Sequence, residues 1–267
     1  MLNKVLVPLD GSSASESVLG PVLQLMKRSK GDIVLLHAVT PAEYFSVTAA
    51  QYVEQERRRS AEYLLALAER IQNGTGVQER IVTGEASREI VAEARRDHVD
   101  LIAMSSHGRS GIQEWAFGSV TERVLRTTNL PVLVFRGNVG KSYSIRKIVI
   151  GLDGSEEALE VVLPAAELAA ALNARVVLVH AGKELPPSVP MAAKMLKNHA
   201  VPFETRLLRG EPAKAILAAV EEEKADLLAL TTTGKTNREQ IYFGSVAEEI
   251  LKKSGRPLLV VHTGRTA

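Results

Sequence analysis

A carboxylate followed by glycine and serine stands twice at the end of a short apolar run. Leu6-Val7-Pro8-Leu9-Asp10-Gly11-Ser12 returns as Ile150-Gly151-Leu152-Asp153-Gly154-Ser155. A second motif also recurs. Gly108, nine residues and Gly118-Ser119-Val120 return as Gly234, nine residues and Gly244-Ser245-Val246. Loop glycines let a backbone wrap closely around a phosphate. A helix that opens on Gly-Ser offers amides, a hydroxyl and the positive end of its dipole to an anion. Asp10 and Asp153, read as the ends of strands, would point into the crevice where open α/β sheets take ligands. Helix capping by serine and a turn at glycine explain Gly-Ser well, but they explain the recurring aspartate less well.

Other chemistry is sparse. His107 is the acid–base candidate of the first loop, but its counterpart is Thr233, so the duplicated site does not need an imidazole. No His/Asp/Ser arrangement is duplicated, and no metal-ligand spacing occurs, so no catalytic residue and no metal ligand is assigned. Without cysteine there is no disulfide, thiolate site or cysteine nucleophile. Gly234-Lys235-Thr236 resembles the close of a Walker A loop, but the glycine required five residues earlier is Ala229. Trp115 has no aromatic counterpart and reads as local packing.

The elements that must position these residues follow from periodicity. Short β-branched runs, mostly apolar and without alternation, as in strands buried on both faces of a parallel sheet, fall at 5–9, 33–39, 77–82, 100–105 and 132–135. Matching runs fall at 148–152, 175–180, 202–208, 226–231 and 258–262. Helical patterns lie between them, at 13–29, 51–71, 87–97 and 118–127, then at 156–172, 189–199, 213–223 and 244–253. Pro21 and Pro164 occupy the same place in the first helix of each copy and should kink it. Five strands joined by four helices make an open, doubly wound α/β unit.

The chain is therefore expected to hold two such units in tandem: domain 1 over 1–137, a linker over 138–146, and domain 2 over 147–267. Asp10 and Asp153 are 143 positions apart, as are His37 and His180, whereas Gly118 and Gly244 are 126 apart. The 17 residues lost in the second copy fall around its second helix. A net charge of +2 in 267 residues lacks the basic excess of a nucleic-acid binder. No run approaches a membrane span and no signal segment leads the chain, so the cytoplasm is the expected compartment.

On these residues the chain resembles the universal stress protein family. The resemblance covers the Val7-Pro8-Leu9-Asp10-Gly11-Ser12 opening, Leu35-Leu36-His37-Ala38, Gly84-Glu85, the loop 105–119 and Leu130-Pro131-Val132-Leu133-Val134. The family's nucleotide-binding pattern is Gly, two residues, Gly, nine residues, Gly, then Ser or Thr. Its first glycine is Ser105 in copy one and Thr231 in copy two. The resemblance implies a Rossmann-like, adenine nucleotide alpha hydrolase-type fold with strand order 3-2-1-4-5. It implies ATP, ADP or AMP as ligand, with Mg²⁺ carried on the phosphates. Asp10 and Asp153, with Gly11, Ser12 and Gly154 beside them, would approach the adenosine. Val39, or its counterpart Gly182, would lie by the adenine. Gly108, Gly118, Ser119, Val120, Gly234, Gly244, Ser245 and Val246 would hold phosphates, with Arg109 and Lys235 as candidate cations. Copy one is expected to be the better site.

The expected function is regulatory nucleotide binding in a stress response with little or no catalysis. Two rivals stand beside it: slow ATP hydrolysis or autophosphorylation at Ser119, Ser105 or Ser106, and a nucleotide-free interaction module. The two fifth strands, 132–135 and 258–262, are expected to pair within one chain, with a homodimer as a further option.

Overall fold

Most strands form where apolar, β-branched residues run continuously, and in the computed structural model the inner strands are buried while the edge strands Gly76–Thr83 and Phe203–Leu208 carry charged residues and stay partly exposed. The structure describes residues 2–41, 47–71, 74–106, 117–137, 139–140, 142–233 and 243–263. The first half contains β1 (Lys4–Pro8), α1 (Ser13–Ser17), α2 (Leu19–Ser29), β2 (Asp32–Val39), α3 (Val47–Ile71), β3 (Gly76–Thr83), α4 (Ala86–Arg96), β4 (Leu101–Ser105), α5 (Ser119–Thr127) and β5 (Val132–Phe135). The second contains β6 (Lys147–Gly151), a 3-10 turn (Glu157–Val161), α6 (Val162–Leu172), β7 (Arg175–Ala181), α7 (Ser188–Asn198), β8 (Phe203–Leu208), α8 (Pro212–Glu222), β9 (Leu227–Thr233), α9 (Ser245–Lys253) and β10 (Leu258–Thr263).

All ten strands join one sheet, in the order β3-β2-β1-β4-β5-β10-β9-β6-β7-β8. Each half has the expected 3-2-1-4-5 order with parallel neighbours. The halves meet where β5 and β10 run antiparallel, with Val132 opposite Val260, Leu133 opposite Leu259 and Val134 opposite Leu258. Alternation along each strand sends side chains to two core layers. Val5, Val7, Leu133, Phe135, Leu259 and Val261 face α2, α3, α6 and α7. Leu6, Val132, Val134, Leu258 and Val260 face α4, α5, α8 and α9. Both layers run unbroken across the junction of the halves.

The first helix of each copy departs from the single kinked helix expected. Proline has no N–H, and its ring clashes with the carbonyl four residues earlier. For Pro21 that carbonyl belongs to Ser17, where α1 ends before α2 begins at Leu19. For Pro164 it belongs to Glu160, inside the 3-10 turn that precedes α6. The residues missing from copy two shorten its second helix, which has 11 residues in α7 against 25 in α3.

The segment between the halves is tied down by Tyr143. Its hydroxyl donates to the Asp226 carbonyl at 2.5 Å, and its ring meets Phe135 edge-on at 6.3 Å. Its carbonyl accepts from Gln24 Nε2 at 3.1 Å. Burial, then the Asp226 carboxylate, push the phenol pKa up to about 12. The Asp226 carboxylate also accepts the Arg146 and Lys147 amides, as Asp100 accepts those of Asn3 and Lys4. On the opposite layer, Glu85 caps α4. It accepts the Ser87 hydroxyl at 2.7 Å and pairs with Arg123 of α5 at 3.2 Å. Burial pulls its pKa up, but the Ser87 and Arg123 contacts outweigh burial and hold it below the usual carboxylate range.

Two stability predictions follow from these anchors. Tyr143→Phe removes one half-buried hydrogen bond and should cost about 1 kcal/mol, read as a lower urea midpoint at unchanged m. Glu85 contributes stability above its unfolded pKa and loses it as pH falls through the lower folded value. Between about pH 5 and about pH 3 the melting temperature should therefore fall further in the wild type than in Glu85→Gln.

Candidate functional site

The reversal of winding between β1 and β4, and again between β6 and β9, opens a crevice at the carboxyl ends of the strands. Each crevice begins with the same turn. Gly11 has φ +81° and Gly154 φ +97°, in the left-handed region that side-chain-bearing residues avoid. That conformation folds the following serine back onto the aspartate. Asp10 Oδ1 accepts the Ser12 amide at 3.0 Å and its hydroxyl at 2.6 Å. Asp153 Oδ1 accepts the Ser155 amide at 2.9 Å and its hydroxyl at 2.6 Å. Ser12 in turn caps α1, its Oγ accepting from Ser15 N at 3.2 Å, and Ser155 Oγ accepts from Ala158 N of the 3-10 turn at 3.1 Å. Capping and carboxylate placement are thus one device: the aspartate orients the capping serine, and the turn holds the carboxylate at the crevice wall.

The opposite wall is the start of α5, or of α9. Gly118 and Gly244 open these helices in an extended conformation, and no side chain caps either one. Side chains cap α1 and α4, through Ser12 and Glu85, but not α2, α6, α7 or α8, so what sets α5 and α9 apart is the glycine at the helix start facing a crevice. The Gly118 amide donates to the Ser106 carbonyl at 2.6 Å, so it does not face a ligand as expected. The next three amides, of Ser119, Val120 and Thr121, have no acceptor within the helix. The Glu122 and Glu248 amides close the first helical bonds, onto the Gly118 and Gly244 carbonyls at 3.0 and 2.8 Å. Ser105 ends β4 buried, and its carbonyl accepts from Thr121 Oγ1 at 3.0 Å.

Between these walls lie two matching cavities. The first, of about 320 Å³, has an apolar floor of Leu36, Ala38, Ile90 and Met104 and a polar wall of Asp10, Ser15, Ser105, Gly118 and Ser119, with Val120 beside them. The second, of about 240 Å³, has Ala181, Ile216, Leu228 and Leu230 below Asp153, Thr231, Gly244, Ser245 and Val246. Few polar groups above a hydrophobic floor is the usual build of a small-molecule site. Val39 is not on the first wall. It is buried, and its carbonyl accepts the Gly84 amide at 3.0 Å, whereas the Gly182 amide donates to the Leu208 carbonyl at 3.1 Å. Alternation on β2 turns Leu36 and Ala38 toward the cavity and His37 and Val39 elsewhere. The run has no alternation in residue type, so the sequence alone did not show that Ala38 and Ala181, rather than Val39 and Gly182, face the cavities. Ser15, Ile90 and Met104 were also missed, because nothing local marks them. Gly108, Arg109, Gly234, Lys235, His107 and Trp115 lie outside the described residues.

A larger groove of about 680 Å³ lies elsewhere, between α1, α2, the end of α3 and Val139-Gly140. It has neither an aspartate turn nor a helix N-terminus of the kind described. Its polar feature is the Glu16–Arg70 pair at 2.7 Å, which also receives the Tyr63 hydroxyl. Burial and then Glu16 drive the Tyr63 pKa upward. The two strand-end crevices hold the duplicated motifs and are the candidate sites. Among the described residues no group of three His, Cys, Asp or Glu side chains is arranged to hold a metal, and no helix is long and apolar enough to cross a membrane.

Comparison with known proteins agrees with the duplication. The model of the universal stress protein family matches residues 1–136, 144–196 and 184–262. Universal stress protein MJ0531 of Methanocaldococcus jannaschii is 34% identical over 139 residues, covering 43% of this chain and 81% of that protein. Universal stress protein YxiE of Bacillus subtilis is 31% identical over 148 residues, covering 51% of this chain and 100% of that protein. The fold of the whole chain matches a universal stress protein structure from Archaeoglobus fulgidus with TM-score 0.81 and 22% identity, covering 99% of this chain and 100% of that one. With both halves matched by the family and each folded in its strand order, the chain belongs to the universal stress protein family as a tandem member.

Proposed function

We propose that this protein binds an adenine nucleotide, ATP, ADP or AMP, in its strand-end crevices, as a regulatory ligand of a cytoplasmic stress response with little or no catalysis. The observation that carries this reading is the uncapped, glycine-opened helix start facing an aspartate across an apolar-floored cavity, built twice in one chain. An adenine base suits the floor of Leu36, Ala38 and Met104. Asp10 and Asp153 suit the ribose hydroxyls, which can donate to a carboxylate. The Ser119 and Val120 amides, with the Ser119 hydroxyl, suit phosphate oxygens at the positive end of a helix dipole. Ser245 and Val246 would do the same in the second crevice. Gly108, Arg109, Gly234 and Lys235 complete the cradle on this reading, and Mg²⁺ would arrive on the phosphates. A homodimer remains part of the proposal.

The titration of MgATP into nucleotide-free protein tests it. We expect two sites per chain, the first tighter, because its cavity is larger. Asp10→Asn keeps an oxygen for Ser12 and so preserves the turn, but removes the charge. It should weaken the first site roughly tenfold and leave the second unchanged. Asp153→Asn should do the reverse. Absence of any binding would replace this reading with a nucleotide-free interaction module.

A second reading rests on exposure. Ser105 and Ser106 are buried, whereas Ser119 is exposed at the helix start. If the chain phosphorylates itself, Ser119 Oγ attacks the γ-phosphorus of ATP, ADP leaves, and the hydroxyl proton passes to water. Labelled ATP should then mark Ser119, and Ser119→Ala should abolish the label. Labelling at background level in the wild type removes this reading and leaves a binding protein.

A further inference from the structure

The residues just ahead of the two helix starts, Phe117 and Phe243, are equivalent in the repeat, and each ring carries an arginine. The Arg136 guanidinium lies 4.9 Å from the Phe117 ring centre, and that of Arg126 lies 4.5 Å from the Phe243 ring centre. Arg126 belongs to α5 of the first half, while Phe243 opens the second crevice. Arg126 is held in place by Glu122, whose Oε1 accepts from Nε at 3.0 Å and Nη2 at 2.9 Å. Arg136 in turn donates across the junction to the Leu251 carbonyl, one of the unpaired carbonyls in the last turn of α9. A planar guanidinium over an aromatic face, partly withdrawn from water, is a favourable and directional contact.

The repeat does not return these arginines. The counterpart of Arg126 is Lys252, which pairs with Glu248 at 2.6 Å. The counterpart of Arg136 is His262, which is buried and bonded to Thr232 Oγ1 at 3.1 Å. Both guanidinium braces therefore come from the first half, and one of them crosses to the second site. Phe117, Phe243, Arg126 and Lys252 meet around a single small cleft between α5 and α9.

We propose that Arg126 is a positioning residue for the second crevice: stacked on Phe243 across the junction, it holds the Phe243-Gly244-Ser245 turn so that the first amides of α9 face the ligand. Ligand binding by the second half then depends on a side chain of the first. The ligand half of this inference rests on the nucleotide reading above, whereas the brace itself does not.

The test uses the full chain and two measurements. Amide exchange is read by NMR without nucleotide at Glu248, whose amide closes onto Gly244, and at Glu122, which closes onto Gly118 as the internal control. Arg126→Ala should speed exchange at Glu248 about fivefold and leave Glu122 within about twofold. Arg126→Lys, which keeps the cation, should recover part of the protection. MgATP is then titrated in the Asp10→Asn and Asp153→Asn backgrounds. Through loss of the stacking that aims the first amides of α9, Arg126→Ala should weaken the second crevice about fivefold and spare the first. Unchanged exchange at Glu248, or equal acceleration at both amides, overturns the brace. Selective exchange with unaltered second-site affinity overturns its role in binding. If the unmodified chain takes up no MgATP, the nucleotide reading fails, and the exchange data still decide the brace.

Discussion

The antiparallel contact between β5 and β10 is the constraint on which the rest of this molecule depends. A doubly wound sheet has helices on both faces, but its last strand leaves a row of unpaired amides and carbonyls. Here each half supplies the cover for the other. The register of Val132 to Val134 against Leu258 to Val260 also aligns the alternation of the two halves. Leu133 and Phe135 then share one core layer with Leu259 and Val261, and Val132 and Val134 share the other with Leu258 and Val260. A shift of one residue would turn each set to the wrong layer. The pairing also places α5 beside α9, so the two helix starts that open the crevices come to lie near a common cleft.

Much of this was legible in the amino-acid sequence, for a specific reason. Continuous apolar runs separated by amphipathic stretches leave few arrangements for a parallel sheet, and their duplication at constant offsets removed most of the ambiguity. The Asp-Gly-Ser turn was legible because only glycine takes positive φ without strain at Gly11 and Gly154. Its dual use was not legible. Capping and placement of a carboxylate at the crevice wall looked like alternatives, yet one pair of Asp10–Ser12 hydrogen bonds accomplishes both.

What was missed lies in contacts of long sequence separation or in the fine phase of an element. Pro21 was read as a kink, but the carbonyl that it displaces belongs to Ser17, so the helix divides there instead. Val39 ends a strand next to the crevice, but it points away from it, and only the phase of β2 shows this. The Gly118 amide looked available until the chain's return brought the Ser106 carbonyl to 2.6 Å. The arginine over Phe243 could not be anticipated from either repeat alone, because the contact exists only after the halves pair.

Duplication followed by divergence explains why the two crevices need not behave alike. The walls keep their chemistry: aspartate faces an uncapped helix start in both. The floors and rims change in size and stiffness. Met104 is replaced by Leu230, Ala86 by Pro212 and Ser105 by the β-branched Thr231, and the cavity shrinks from about 320 to about 240 Å³. A long, unbranched methionine adapts its shape to an occupant more readily than leucine does. The proline fixes the backbone at the start of α8, where α4 has a freer alanine. The second crevice is thus smaller and less adaptable, and its helix start leans on a side chain from the first half. Two crevices of common descent have become unequal within one sheet, joined by the contact of Arg126 with Phe243, while its counterpart Lys252 pairs with Glu248 instead.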